Sequence, residues 1–345
     1  MRLEVERSAG SEWLGWIERF DGNIYHSPEW AEICRSEHVS PLFFRGLDEQ
    51  GRCVGIALGI ERRSSRPVIG HFSRRLDFET FPAVQGKDPH QTSQMISLLV
   101  EFAKTGGYRG LTIQSHYAGM TVAGLDRLGL MVVPRVECIV DLERSEEERW
   151  KLLSTHHQRK IKKAGRHGLV FEEICTVEAM QELRRLQIGS RDRRTARGEY
   201  FGLQDAAYYE QMGRRYFERN LGRLFMMRHE GHAVSAAFIS IYAGRALYVL
   251  GGSEPKGFEL DAPALLFWKI FSRCVELGCR EFNLGGVPAS SADPESLAHG
   301  LYRFKSGFGG RQVQRVTGMA ENLRPSLNSL AKNMKDLWLP LMAKG

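Results

Sequence analysis

The sequence predicts an α/β protein built from two similarly folded halves, and three observations carry that reading. The first is a repeated hairpin. "PLFFRGLDEQGRCVGIALGIER" (Pro41–Arg62) reads as an apolar strand, a D-x-x-G turn and a second apolar strand, and "RLFMMRHEGHAVSAAFISIY" (Arg223–Tyr242) repeats the pattern with H-E-G-H at the turn. The second is that each hairpin is followed by a helix, a glycine and a short strand. These are "MISLLVEFAKTGGYRGLTIQ" (Met95–Gln114) in the first half and "ALLFWKIFSRCVELGCREFNLGG" (Ala264–Gly286) in the second. The third is length, since 345 residues accommodate two domains of ordinary size.

The division is expected near "DLERSEEERW" (Asp141–Trp150), where charge rises and a helix starts. Ser145 followed by Glu148 has capping-box spacing, and the acidic first turn complements the helix dipole. The domains are therefore expected at 1–143 and 144–319. The last stretch, "ENLRPSLNSLAKNMKDLWLPLMAKG", reads as a helix with Leu327, Leu330, Met334 and Leu337 on one side, so that 320–345 returns to pack on the first domain.

Composition bounds the function class. With 42% hydrophobic and 26% charged residues the chain reads as soluble and globular, and no apolar run approaches the roughly 18 residues of a membrane span. "MRLEVERSAGSEW" has acidic residues and no apolar run, unlike a secretory signal, so a cytoplasmic location is expected. Six cysteines without a C-x-x-C pair read as reduced thiols. A net charge of +7 and a pI near 9.1 favour anionic partners without choosing among RNA, anionic lipid headgroups and phosphorylated metabolites.

The strongest local signal is "WKLLSTHHQRKIKKAGRHGL". Trp150, Leu153, His157, Ile161 and Ala164 fall at helical spacing, while Arg159, Lys160, Lys162, Lys163 and Arg166 spread over the remaining face and Gly168 ends the helix. By itself such a face is a solvated surface. Two further basic stretches, "SRDRRTARGEY" and "RRYFERNLGR", each carry four arginines, whose forks suit phosphate. Together they predict an anion-binding surface. "LYRFKSGFGGRQ" (Leu301–Gln312) reads either as a twisted strand with a bulge or as a glycine-rich basic loop. Its Lys305, set among Tyr302, Phe304 and Phe308, is suited to stabilising negative charge on an oxyanion or phosphate.

Other patterns carry less. His229-x-x-His232 falls on a hairpin turn without accompanying ligands, and His156 and His157 point to different helix faces, so no metal site is expected. No G-x-S-x-G, Walker A or G-x-G-x-x-G motif is present.

The second half resembles the FemAB/FemX peptidyltransferases and their relatives in the GNAT superfamily. It does so through "HHQRKIKKAGRHGL", "YVLGGS" followed by "LDAPALLFWKI", "GCREFNLGG" and "LYRFKSGFGG". The first half resembles them through "YHSPEWAEI" (Tyr25–Ile33) and "LDRLGLMVV" leading into "IVDLERS". These relatives add amino acids from aminoacyl-tRNA to cell-wall precursors. The resemblance implies two tandem GNAT-like domains of mixed sheet flanked by helices, without the long coiled-coil arm of some members.

Site residues follow from the resemblance one by one. Lys305 matches the lysine of the F-K-x-x-F element, associated with the transfer step, and Phe304 precedes it. Tyr248 stands where members place an aromatic residue ahead of the G-S step lining the acceptor channel, which brings in Ser253. Arg191 matches the arginine holding acceptor phosphate, with Arg194 and Arg197 as rivals. Tyr302 and Asn283 complete the substrate-binding set, and Arg159, Lys160, Lys162, Lys163 and Arg166 are assigned to tRNA or phosphate. The chain also departs from the family. His26 stands where many members have Gln, Asn283 where relatives often carry Asp, and only Arg35 stands near the expected first-domain lysine. These departures leave the acceptor open among a peptidoglycan precursor, a peptide and a small metabolite.

GNAT enzymes using acyl-CoA cradle its pyrophosphate with R/Q-x-x-G-x-G/A at a helix N-terminus after the central strand. Here that pattern occurs as "RHEGHA" (Arg228–Ala233), on a hairpin turn one strand too early, and "SEPKGFELDAPALL" after the probable central strand lacks it. The expectation is therefore an aminoacyltransferase that takes its donor from aminoacyl-tRNA and needs no further cofactor. The alternatives are an acyl-CoA-dependent N- or O-acyltransferase of polysaccharide or lipid modification, and a non-catalytic RNA- or anionic-membrane-binding module.

Overall fold

The structure is a computed structural model that describes residues 1–65, 73–116, 124–196, 198, 202–321 and 323. The described residues divide into two compact units, one running to Pro134 and taking in Gln314–Glu321, the other Arg135–Val313.

The first unit carries β1 (Arg2–Glu6), α1 (Trp13–Arg19), α2 (Pro28–Cys34), β2 (Val39–Leu47), β3 (Cys53–Arg62), β4 (Arg75–Phe78), β5 (Ala83–Val84), α3 (Pro89–Thr105) and β6 (Gly110–Gln114). β1, β2, β3 and β4 pair antiparallel in that order, β5 adds to β3, and β4 pairs parallel with β6. The hairpin turn forms as expected. Asp48 Oδ1 accepts from the N–H groups of Gln50 and Arg52 at 3.0 and 2.9 Å, and Gly51 takes the left-handed φ of +77°. α3 buries Met95, Ile96, Leu99, Val100 and Ala103 against Phe44, Ala57, Leu76, Phe78, Leu111 and Ile113 of the sheet.

The second unit enters on β7 (Met131–Asp141). It continues through α4 (Glu146–Leu152), α5 (Thr155–Ala164), β8 (Val170–Ile174), α6 (Ala179–Thr195), α7 (Ala206–Glu218), β9 (Gly222–His229), β10 (His232–Tyr242), β11 (Arg245–Ser253), α8 (Pro255–Glu259), α9 (Ala262–Glu276), β12 (Glu281–Pro288) and α10 (His299–Ser306). Its strand order is β8-β9-β10-β11-β12-β7, antiparallel except for β11 with β12. α9 buries Leu265, Leu266, Phe267, Ile270 and Phe271 against Phe225, Ala237, Ile239 and Phe282. Each such side chain contributes about 1.5–3 kcal/mol of burial, which holds helix on sheet.

A last strand, β13 (Arg311–Glu321), runs antiparallel to β6 from Thr317↔Gln114 to Glu321↔Gly110. With it the first sheet reads β1-β2-β3-β4-β6-β13 and matches the second strand for strand, the parallel pair β4/β6 answering β11/β12. The repeat seen in the sequence is thus a repeat of topology. Each sheet takes its closing strand from outside its repeat, so the units divide inside β7 and β13 rather than in a linker after residue 143. The expected C-terminal helix lies outside the described residues. No helix among those described is long and apolar enough to cross a membrane.

Two local expectations are corrected. The single helix expected from Trp150 onward is two helices, because Leu153 turns extended and Ser154 caps a new helix by accepting from His157 N at 3.2 Å. The capping box of Ser145 and Glu148 starts the earlier one, as expected. "LYRFKSGFGGRQ" is neither loop nor bulged strand. Residues 299–306 are helical, the glycines turn the chain, and β13 starts at Arg311. Helical spacing turns Leu301, Phe304, Lys305 and Phe308 to one side, an i, i+3, i+4, i+7 pattern that alternating glycines conceal.

Candidate active site

β11 and β12 pair only at Arg245↔Glu281, Ala246↔Phe282 and Leu247↔Asn283, and then diverge toward their carboxyl ends. Irregularities in both strands cause this. In β11, Val249 is an extra residue between the pairs Phe238↔Leu250 and Ile239↔Tyr248. In β12, the register against β7 shifts between Asn283 and Gly286, where Gly285 adopts φ +77°. Bulges re-aim side chains, and the open carboxyl ends of neighbouring parallel strands are where α/β sheets receive ligands.

Asn283 holds this bend. It is fully buried, its Oδ1 accepts from Gly285 N at 2.7 Å, and its Nδ2 donates to Glu137 Oε2 at 3.0 Å. Both ends of the amide are therefore engaged within the protein, and the expected substrate contact is replaced by a structural one. Glu137, buried on β7 opposite Gly286, was not singled out in the sequence, although a glutamate within the apolar run "VECIV" is a signal of an internal partner. Asn283→Ala is expected to lower stability by about 1–3 kcal/mol, because the Glu137 carboxylate loses a donor that water does not replace. Urea unfolding tests this, and a loss below about 0.5 kcal/mol would remove the clamp from the account.

Lys305 enters the divergence from α10. It is only 7% exposed. Its ammonium donates to the Gly286 carbonyl at 3.3 Å and lies 5.8 Å from the centroid of the Tyr248 ring, within cation–π range. A Cβ at Gly285 would come within 3.4 Å of the Nζ, so the glycine that bends β12 also makes room for the ammonium. The ring beside Lys305 thus comes from β11. Phe304 and Phe308 instead turn into the core, 5.6 and 5.7 Å from Phe267, and the Tyr302 hydroxyl accepts from Gln312 Nε2 at 2.9 Å. Behind Lys305, the Cys138 thiol donates to its carbonyl at 3.3 Å, and burial pushes that thiol up to about 11. Tyr248 packs edge-on to Phe267 at 5.0 Å. Burial pushes its phenol up to about 12, opposed by the charge of Arg194, so it is a neutral donor at ordinary pH. The arrangement holds an ammonium over the Tyr248 ring where the strands part, a cation suited to stabilising negative charge on a carbonyl oxygen.

The remaining assigned residues separate. Arg191 pairs with its neighbour Asp192 at 2.8 Å, and Arg194 acts on Tyr248 through its charge. Arg197 lies outside the described residues. Ser253 is buried, its hydroxyl 2.8 Å from that of Ser235, while its carbonyl accepts from Arg193 at 2.7 Å. On α5, Lys160 and Lys163 both reach Asp261, at 3.3 and 3.1 Å, and Lys162 stands 5.6 Å from the Trp150 ring centroid. Arg159 and Arg166 are exposed. Arg303, exposed on α10, joins them. Slight burial and then the charges of Lys160, Arg303 and Arg159 hold the His156 imidazole below its ordinary range, so all three cations act on this one side chain. The positive face therefore belongs to two helices, and its α10 member went unnoticed in the sequence because Arg303 reads as one more residue of an aromatic stretch.

"RHEGHA" is a hairpin turn, as expected, with left-handed Glu230 and Gly231. It borders a cavity of about 420 Å³ lined by Glu182, Arg185, Arg228, His232 and Glu254. Arg228 is forked onto Glu182 at 2.9 and 2.8 Å and bonded to Glu172 at 2.6 Å, and Arg185 meets Glu254 at 2.9 Å. The arginines of this cavity are neutralised from within. Among the described residues, no group of three or more His, Cys, Asp or Glu is placed to hold a metal ion.

Residues 154–306, which run from the cap of α5 to the end of α10, match the family model described as Acetyltransferase (GNAT) domain. No curated protein matches the chain. Among solved structures, FemX aligns with a TM-score of 0.70 at 13% identity, over 91% of this chain and 96% of FemX. The fold is FemX-like. Two further structures align over nearly the whole chain. The C-terminal domain of a putative lysylphosphatidylglycerol synthetase from Agrobacterium fabrum aligns at TM-score 0.54 and 16% identity, over 94% of this chain and 96% of its own. A tandem GNAT protein from the clavulanic acid biosynthesis pathway aligns at TM-score 0.54 and 13% identity, over 94% and 100%. At such identities the likeness is one of fold. The two units are tandem GNAT-type folds, and the stretch that matches the GNAT domain model lies in the second.

Proposed function

We propose that the protein transfers an aminoacyl group from aminoacyl-tRNA to an amine acceptor, forming an amide. One observation carries this reading: the Lys305 ammonium sits bonded to Gly286 where β11 and β12 part, on the helix that also exposes Arg303. A polyanionic donor docked along α5 and α10 would bring its ester to that divergence. The acceptor amine attacks the ester carbonyl, the new C–N bond forms and the C–O bond to the ribose breaks. The amine's proton ends on the ribose oxygen, and Lys305 stabilises the intermediate oxyanion. An aminoacyl ester is already activated, so orientation supplies much of the rate. The relatives support the same class, one of them being named for making lysylphosphatidylglycerol. The absence of the pyrophosphate pattern from "SEPKGFELDAPALL", at the end of β11 and into the next helices, favours this donor over acyl-CoA. The acceptor is a peptidoglycan precursor, a peptide or a small metabolite.

The test is transfer of radiolabel from a mixture of charged tRNAs to an amine-containing small-molecule extract, counted as alkali-stable product. RNase pre-treatment is expected to abolish it. Product formed from labelled acyl-CoA, with none from charged tRNA, would overturn the donor assignment.

A further inference from the structure

Between the basic helix and the Lys305 helix lies a histidine that neither the charge pattern nor the transfer chemistry uses. His157 is 3% exposed. Its ring centroid stands 4.5 Å from Phe308, edge-on, and 5.7 Å from Phe304. Its Nδ1 is 3.0 Å from Ser154 Oγ, the hydroxyl that caps α5, and the backbone N–H of the same Ser154 donates to the Gly307 carbonyl at 2.9 Å. Gly307 ends α10 two residues after Lys305. A Cβ there would lie 2.1 Å from His157 Cε1 and 2.3 Å from Nδ1, so the imidazole occupies the space a side chain at 307 would need. Burial pushes the imidazole down to about 4, with the Phe304 carbonyl opposing, so the ring is neutral at ordinary pH and Nδ1 remains bonded to the cap. A leucine would fill a similar volume and leave the backbone cap on Ser154 Oγ in place, but it would remove the ring nitrogen that also meets that hydroxyl.

The last turn of α10 is thereby held at three points: the Ser154 N–H on Gly307, the imidazole against Gly307 and the two phenylalanines, and the Cys138 thiol on the Lys305 carbonyl. The helix that carries Arg159 and the helix that carries Arg303 and Lys305 meet at this seat. We propose that His157 is a positioning residue for Lys305, locking α10 onto the cap of α5 so that a bound polyanion and the buried ammonium keep a fixed separation. Its role in transfer rests on the aminoacyltransferase reading, whereas the seat itself does not.

The test therefore has two readouts. His157→Ala and Gly307→Ala each release the turn. Pulsed alkylation followed by mass spectrometry is expected to show Cys138 modified at least tenfold faster in either variant. Cys274, buried in the same core on α9, should stay at the wild-type rate. In the double variant the new methyl group enters the space the imidazole leaves, and Cys138 protection returns at least partly. With charged tRNA as donor, kcat falls at least tenfold in each single variant while KM for the tRNA stays within twofold, and the double variant recovers part of kcat. Cys138 and Cys274 rising together would make His157 an ordinary core residue, and an unchanged Cys138 rate in both single variants would show that the ring does not hold the turn. Either result overturns the proposal, as does a rise in KM with kcat unaltered. A protected Cys138 that becomes reactive as expected, with no transfer from any charged tRNA even in the wild type, would keep the seat and overturn the donor assignment alone.

Discussion

Lys305→Met is expected to slow transfer by at least a hundredfold while leaving donor-tRNA affinity within twofold of the wild type. The magnitude follows from the site. Removing one preorganised donor from a water-poor oxyanion site costs about 10²–10³ in rate, or about 2.7–4 kcal/mol of transition-state stabilisation. Lys305 is buried and aimed at the point where β11 and β12 part, so its charge acts at low dielectric. The fold should survive, because methionine has a similar length and replacing a buried charge by an apolar group of like volume is often neutral or stabilising. Lys305→Arg should not restore the rate. The guanidinium is larger and forked, and the space beside the ammonium is small enough that even a Cβ at Gly285 would lie 3.4 Å from it. Single-turnover kinetics with charged tRNA, paired with thermal unfolding, checks both halves. A methionine variant that turns over within threefold of the wild type would remove Lys305 from the reacting centre.

The second large effect is expected on the basic face, and it differs between residues that look alike in the sequence. Replacing Arg159 and Arg303 with alanine should weaken tRNA binding at least tenfold for the pair, since each charge-assisted hydrogen bond contributes about 1.5–3 kcal/mol. The slope of log affinity against log salt should fall by about 0.7–0.9 for each phosphate no longer neutralised. Lys160→Ala with Lys163→Ala should change affinity less, because Asp261 lies between the two lysines and cancels one of their two charges. Fluorescence polarisation with labelled tRNA across a KCl series separates the two pairs. Equal weakening by the arginine and lysine pairs would make the face a diffuse positive surface rather than one organised by α5 and α10.

These outcomes also measure how much of the site is legible in the sequence. The buried side of the basic helix can be read from His157, Ile161 and Ala164 at helical spacing, since a helix face is a local property, whereas its start at Ser154 emerged only in the structure. Lys305 is legible through its aromatic neighbours and the family resemblance, yet its setting is not. The ring near its ammonium belongs to Tyr248, not to Phe304 or Phe308. Asn283 is legible as a position and not as a role, because its partner Glu137 lies 146 residues away. Ser253 is likewise expected at a channel and is found bonded inside the protein.

The sequence alone determined the hairpin, helix and strand of each half and their repetition in the same order. Period-two strands, left-handed turn glycines and capping serines act over a few residues, and duplicating them in order duplicates a topology. Only the tertiary structure decided which charges are available and which are neutralised, where β11 and β12 separate, and that Cys138 meets the carbonyl of a residue 167 positions later. The physical reason is one of range. Backbone preference and periodicity are written within a turn or a strand, whereas a buried polar group takes its partner from whatever the packed core places within about 3 Å, and spacing along the chain carries no record of that choice.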